Sequence, residues 1–122
     1  MPALNYKKQF APKVESGEKR QSIRAWRKDG RDPEPGQMLY HYTGQRTKAC
    51  RKLREDICTA VEPLAIGNGG FVLVGIEDGI KKLTPEEIQA LAVADGFDTA
   101  NDFFDFFETT HRLPFFGALI KW

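Results

Sequence analysis

Short runs of alternating apolar and polar residues occupy most of the chain, and helical spacing shows at three places. The run Phe10-Ala11-Pro12-Lys13-Val14-Glu15-Ser16-Gly17 predicts a short helix. It starts near Pro12, whose fixed φ suits a first turn, and stops at Gly17, which accepts a left-handed backbone. Gln21 to Trp26 follows as a strand in which Ile23 opposes Ser22 and Arg24, so one face is buried while the other fronts a groove. Asp32-Pro33-Glu34-Pro35-Gly36 is a turn, Gln37 to Thr43 a second strand, and Gly44 the next turn. Lys48 to Leu53 fits neither period. Ile57 to Val61 is β-prone, and Phe71 to Ile76 is a buried strand, with Gly67-Asn68-Gly69-Gly70 joining the two.

The two late helices carry stronger marks. Thr84-Pro85-Glu86-Glu87 is a capping box, with Thr84 at the cap, proline in the first helical position and Glu87 reaching back, and Gly96 ends the helix. Thr99 and Asp102 stand at capping spacing before Phe103, Phe104, Phe106 and Phe107, an apolar stripe assigned to the core, and Pro114 closes the segment. Ala118 to Trp122 is a last strand returning to the sheet, because a stretch this apolar needs a partner. Mostly consecutive strands with one early helix and two late ones predict an α+β architecture. The expected form is a small, curved, partly closed sheet flanked by helices rather than a doubly wound one.

Composition narrows the class. With 122 residues, 41% hydrophobic and 29% charged, the chain fits one domain over 1–122 and excludes disordered or collagen-like sequences. The apolar runs are too short to span a bilayer and the N-terminus lacks a signal-peptide stretch, so a soluble, cytoplasmic protein without membrane partners is expected. Cys50 and Cys58 with His41 and His111 lack zinc-site spacing; no metal or other cofactor is expected, and both thiols are read as reduced. His41, without a nucleophile at readable spacing, is taken as structural. Gly67, Gly69 and Gly70 lack the Lys-Ser/Thr of a phosphate loop.

Charge adds a partner. Residues 1–58 hold 14 Lys/Arg against 7 Asp/Glu and residues 59–122 hold 4 against 10, so the net +1 divides into +7 and −6. Lys19-Arg20, Arg24, Arg27-Lys28, Arg31 and the Arg46 to Arg54 block suggest one electropositive face that attracts phosphates. The competing explanation is an acidic half docked on a basic half with solvated charges.

Ser16-Gly17-Glu18-Lys19-Arg20-Gln21-Ser22-Ile23-Arg24 resembles the opening motif of ASCH domains: a short helix ending in Gly, then Lys, a Ser/Thr three residues on, and Arg. Pro35-Gly36-Gln37 is similar to the family's Pro-Gly-Asp turn, and Asp95-Gly96-Phe97 to its acidic-Gly-Phe element before a Phe-rich helix. Together these span most of the chain. The resemblance implies a small PUA-like β-barrel with a cleft between barrel and helices, suited to RNA or a modified nucleoside. Small bacterial members that hydrolyse N4-acetylcytidine use a Lys, a Thr and a Glu, and the resemblance carries those roles to Lys19, Ser22 and Asp95. Serine keeps the hydroxyl; Asp95 is one methylene shorter than Glu, and Gln37 replaces the usual Asp of the turn. A non-enzymatic RNA-binding module and an RNA nuclease are the alternatives within the same resemblance.

Amide hydrolysis needs a nucleophile, a base and oxyanion donors, and Ser22, Lys19 and Arg24 with backbone amides supply the types. Lys19 serves as base only where burial and Arg24 depress its pKa, whereas Asp95 beside it favours the ammonium; Asp95 then orients the lysine or holds the cytidine amino side. Positions 19 and 22 fall on opposite faces of an ideal strand, so the strand must begin after Lys19, whose stem folds back over Ser22 and Arg24. Trp26, Tyr40 and Tyr42 are read as rings that line the cleft and stack on a base, with core packing the competing explanation for the tyrosines. For the catalytic set, the plain alternative is a Lys19–Asp95 salt bridge beside a surface serine.

Overall fold

Leu4 and Tyr6 are buried while Asn5 is exposed, the alternation of a strand with one face inward. This strand, β1 (Ala3–Tyr6), opens a computed structural model that describes residues 2–122. Helix α1 (Ala11–Ser16) follows with Pro12 in its first turn, and Gly17 caps it at φ +85°, where a Cβ would stand 2.8 Å from the Arg54 guanidinium. Then come β2 (Gln21–Ala25), β3 (Met38–Thr43), β4 (Arg51–Ile57), β5 (Ala60–Ile66), β6 (Val72–Ile76) and β7 (Gly79–Lys82). Helix α2 (Pro85–Ala94), helix α3 (Ala100–His111) and β8 (Phe115–Lys121) complete an α+β arrangement with one early and two late helices. Both expected caps are present: Thr84 and Glu87 exchange the two hydrogen bonds of a capping box, and Thr99 accepts from the Asp102 amide.

The strands form two sheets. One runs β1-β3-β4, with β1 parallel and β4 antiparallel to β3; the other is antiparallel throughout, in the order β2-β8-β5-β6-β7. Ile57 to Val61 is not one strand, as its β-prone residues suggest, but the corner between the sheets. Cys58 pairs its amide with Gln37 and its carbonyl with Gly36, and Thr59 then donates to Lys121 in the other sheet. Cys50 and Cys58 stand at opposite ends of β4, Cys50 exposed and Cys58 buried, and both are free thiols.

No closed barrel forms among the described residues, against the PUA-like barrel that the resemblance implies. Closure would need a hydrogen-bond ladder between free edges of the two sheets. The edge strands β1 and β2 instead line a cavity together with no ladder between them; Arg24 of β2 lies over the Tyr6 ring of β1 at 4.8 Å, and beyond β2 the Arg27 Nη2 donates to the Ala3 carbonyl at 3.0 Å. Strand β4 escaped the sequence pattern because Leu53 is its one buried side chain. Helices α2 and α3 bury Ile88, Ala92, Phe103 and Phe107 in the same core as Ile66, Val72 and Leu119. Phe97, between these helices, meets Phe10, Phe103 and Phe106 at centroid distances of 5.2, 5.7 and 5.3 Å, which ties the start of α1 to α3.

Candidate functional site

The two capping glycines bring residues 19 and 95 together. Gly17 turns the chain out of α1, and the Lys19 amide donates back to the Lys13 carbonyl at 2.9 Å, so Lys19 sits in the turn before β2. Asp95 ends α2, and Gly96 follows at φ +101°; a Cβ there would stand 2.9 Å from the Phe10 ring and 3.4 Å from Lys19 Cδ. This close approach lets Lys19 Nζ donate to the Asp95 carbonyl at 2.6 Å and to its Oδ1 at 3.0 Å. Both side chains are buried. Burial pulls the Lys19 ammonium below the ordinary lysine range against the opposing pull of Asp95, and burial likewise raises the Asp95 carboxyl, with Lys19 opposing.

Ser22 and Arg24 share a face of β2 through strand parity, and Arg24 Nε donates to Ser22 Oγ at 2.7 Å. The guanidinium lies over the Tyr6 ring at 4.8 Å. Burial pushes the Tyr6 phenol above its ordinary range, so it is protonated at neutral pH.

Lys19, Ser22, Arg24 and Asp95 all line one cavity of about 260 Å³, enclosed by Tyr6, Phe10, Phe106 and Phe107, with Thr110 and His111 at the α3 side. The Phe stripe of α3 is therefore divided: Phe103 is wholly core, while half-buried Phe106 walls the cavity. The shorter Asp95 reaches Lys19 because its own carbonyl stands beside its carboxylate as a second acceptor.

Trp26, Tyr40 and Tyr42 do not line this cavity. Trp26 lies past the end of β2, 44% exposed, in a shallow trough with Pro63, Ile80 and Phe116. Tyr40 and Tyr42 belong to the other sheet and stand on the face of β3 opposite His41, with Lys52 over the Tyr40 ring at 5.3 Å. The rings at the cavity are Tyr6, Phe10, Phe106, Phe107 and His111, of which sequence reasoning assigned none to a site. For Tyr6 a signal existed in the Leu4–Tyr6 alternation, too short to stand out.

His41 is fully buried. Its Nδ1 lies 2.9 Å from the Tyr6 hydroxyl, its Nε2 faces Asp56 Oδ2 at 3.3 Å, and the Trp122 ring covers it at 4.4 Å.

Four cations of the basic block are ion-paired. Lys19 pairs with Asp95, Arg51 with Glu15, Lys52 with Glu55 and Arg54 with Asp56. No cluster of three or more His, Cys, Asp or Glu among the described residues is placed to hold a metal, and no described helix is long and apolar enough to cross a membrane. No protein-family model, curated protein or solved structure matches this chain.

Proposed function

We propose that the chain binds a modified nucleoside in the cavity beside β2 and hydrolyses the N4-acyl amide of an acylated cytidine. The observation that carries this reading is the meeting of Lys19, Ser22, Arg24 and Asp95 in one aromatic-walled cavity. These are the residues that the ASCH resemblance singles out from two distant stretches of sequence. The volume, about 260 Å³, lies just below the ~300–1,000 Å³ of ordinary small-ligand sites, which suits one nucleoside or one extruded base better than a strand of RNA.

Ser22 attacks the acyl carbonyl, and the cationic Arg24 and Lys19 side chains stabilise the negative charge that develops on its oxygen. Asp95 holds Lys19 as an ammonium aimed along the cavity wall. The aromatic walls exclude water and stack on the base.

A second reading, a nucleoside-binding module without chemistry, is favoured by the closed Lys19–Asp95 pair, whose hydrogen bonds are satisfied with no substrate present. One incubation separates the two. Purified protein with N4-acetylcytidine should yield cytidine and acetate by chromatography, and Ser22→Ala should abolish the yield while still binding the nucleoside. Binding without product in the unmodified protein would leave the module reading; neither binding nor product would overturn both.

A further inference from the structure

Of the four strands at the ends of the two sheets, β1 and β2 line the cavity together, and β4 packs against α1 with a charge at five of its seven positions. Strand β7 is the open one. Its residues, Gly79 to Lys82, are all exposed, and its outer edge meets no described strand. The Leu83 amide donates to the Val72 carbonyl at 3.0 Å, in register with the pairs Val74–Lys81 and Ile76–Gly79, so residues 79, 81 and 83 turn their backbone groups toward β6. Ile80 and Lys82 turn theirs outward, and no hydrogen bond among the described residues takes them.

The sheet beside this edge is apolar. Ile80 is 74% exposed and Phe116 66%, and with Trp26, Pro63 and Leu73 they line the outer trough, bordered by the exposed Ile76. Large apolar side chains next to unpaired backbone make a template for another strand. We propose that β7 pairs with β7 of a second copy of this chain, antiparallel about a two-fold axis at Ile80, so that two five-stranded sheets become one of ten strands.

Charge complementarity selects both this occupant and this register. The segment reads Glu77-Asp78-Gly79-Ile80-Lys81-Lys82, acidic at one end and basic at the other, so it complements itself when turned end for end. Only residues whose backbone groups face outward can exchange hydrogen bonds across the new ladder, which restricts the register to steps of two. With Ile80 opposite its own counterpart, Asp78 of each copy falls opposite Lys82 of the other, and two opposite-charge pairs flank an apolar one. Sliding by two residues sets Lys81 against Lys81, and by four Lys82 against Lys82; sliding the other way sets Asp78 against Ile80. Both charges are available. Lys81 is paired with Glu87, whereas Lys82 lies over the Phe71 ring at 5.8 Å, and neither it nor Asp78 has an ion-pair partner among the described residues. A patch that meets itself about a two-fold axis closes at two copies, so the assembly ends there.

Sedimentation velocity of the full chain, from about 1 μM to about 1 mM, should show a monomer–dimer equilibrium with no larger species. Ile80→Arg should weaken the dimer by roughly tenfold or more, since it places two cations face to face at the axis. Asp78→Lys and Lys82→Asp should each weaken it by a similar factor, roughly tenfold, because each sets two like-charge pairs into the homodimer. Mixing those two variants is the decisive arm. Every facing pair in the mixed species is again opposite in charge, so the mixture should dimerise as tightly as the unmodified chain. All three positions are exposed and Asp78 has no left-handed backbone, so the variants should fold, and circular dichroism checks that they do. A chain that stays monomeric throughout would overturn the proposal and leave the edge to a strand of another protein. A dimer unmoved by Ile80→Arg, growth beyond two copies, or a mixture that associates no better than its components would overturn it as well.

Discussion

At the scale of single residues, His41 makes stability depend on pH. Burial lowers its pKa to about 4, against 6.5 for the free side chain, with Asp56 opposing the shift. Between those values the unfolded chain binds more protons than the folded one, so stability rises with pH. The contribution is complete above about pH 6.5 and is lost as the pH falls toward 4, by about 1.4 kcal/mol per pH unit and on the order of 3 kcal/mol in all. Urea titrations across this range should show that loss, and His41→Gln should flatten it; an equal slope in the variant would assign the effect elsewhere. Lys19→Ala tests catalysis poorly, because it strands the buried Asp95 carboxylate and should cost about 3–5 kcal/mol in the same titrations. Asp95→Glu is more telling. Since Asp95 already reaches Lys19, the added methylene overpacks a closed pair, and the expected result is lower turnover and about 1–3 kcal/mol less stability. Lys19, Ser22, Arg24 and Asp95 were picked out in the sequence by the ASCH resemblance, and the structure brings the four to one cavity. Tyr6, which lines the same cavity, comes from a four-residue strand whose pairing no local pattern announces.

Among elements, the helices were readable and the marginal strands were not. Caps are local chemistry, and Thr84, Glu87, Gly17 and Gly96 act within their own turns. Strands β1 and β7 have four residues each and β4 buries one side chain, so their register is set by neighbours distant in sequence. Gly96→Ala gives the sharpest expectation at this scale. It forces a side chain into a left-handed conformation and against Phe10 and Lys19, so it should destabilise by more than about 1 kcal/mol and reduce nucleoside affinity together. Thr84→Ala removes a cap remote from the cavity and should cost about 1 kcal/mol with affinity unchanged. Equal loss of affinity in both variants would mean that general stability, not the approach of Asp95 to Lys19, governs the cavity.

For the whole molecule, one ion pair among the described residues, Lys19–Asp95, joins the basic half to the acidic half, while Arg51, Lys52 and Arg54 pair with carboxylates of their own half. With Arg51, Lys52 and Arg54 paired, RNA should bind no tighter than about 10⁻⁶ M at physiological salt and weaken as salt rises. Filter binding across a salt series checks this, and a tighter, salt-tolerant complex would restore the polymer as ligand. The position of β8 reaches further. It lies between β2 and β5, so residues 115–121 join strands that begin at positions 21 and 60. Until that segment arrives, β2 and the β5-β6-β7 meander have no common sheet, and both edges that will flank β8 stand bare. Such late, distant pairing slows folding, and the open edges are where two growing chains would stick to one another. The strand that completes the sheet is therefore also the one that times it, and a chaperone able to shield β2 and β5 would act during that interval.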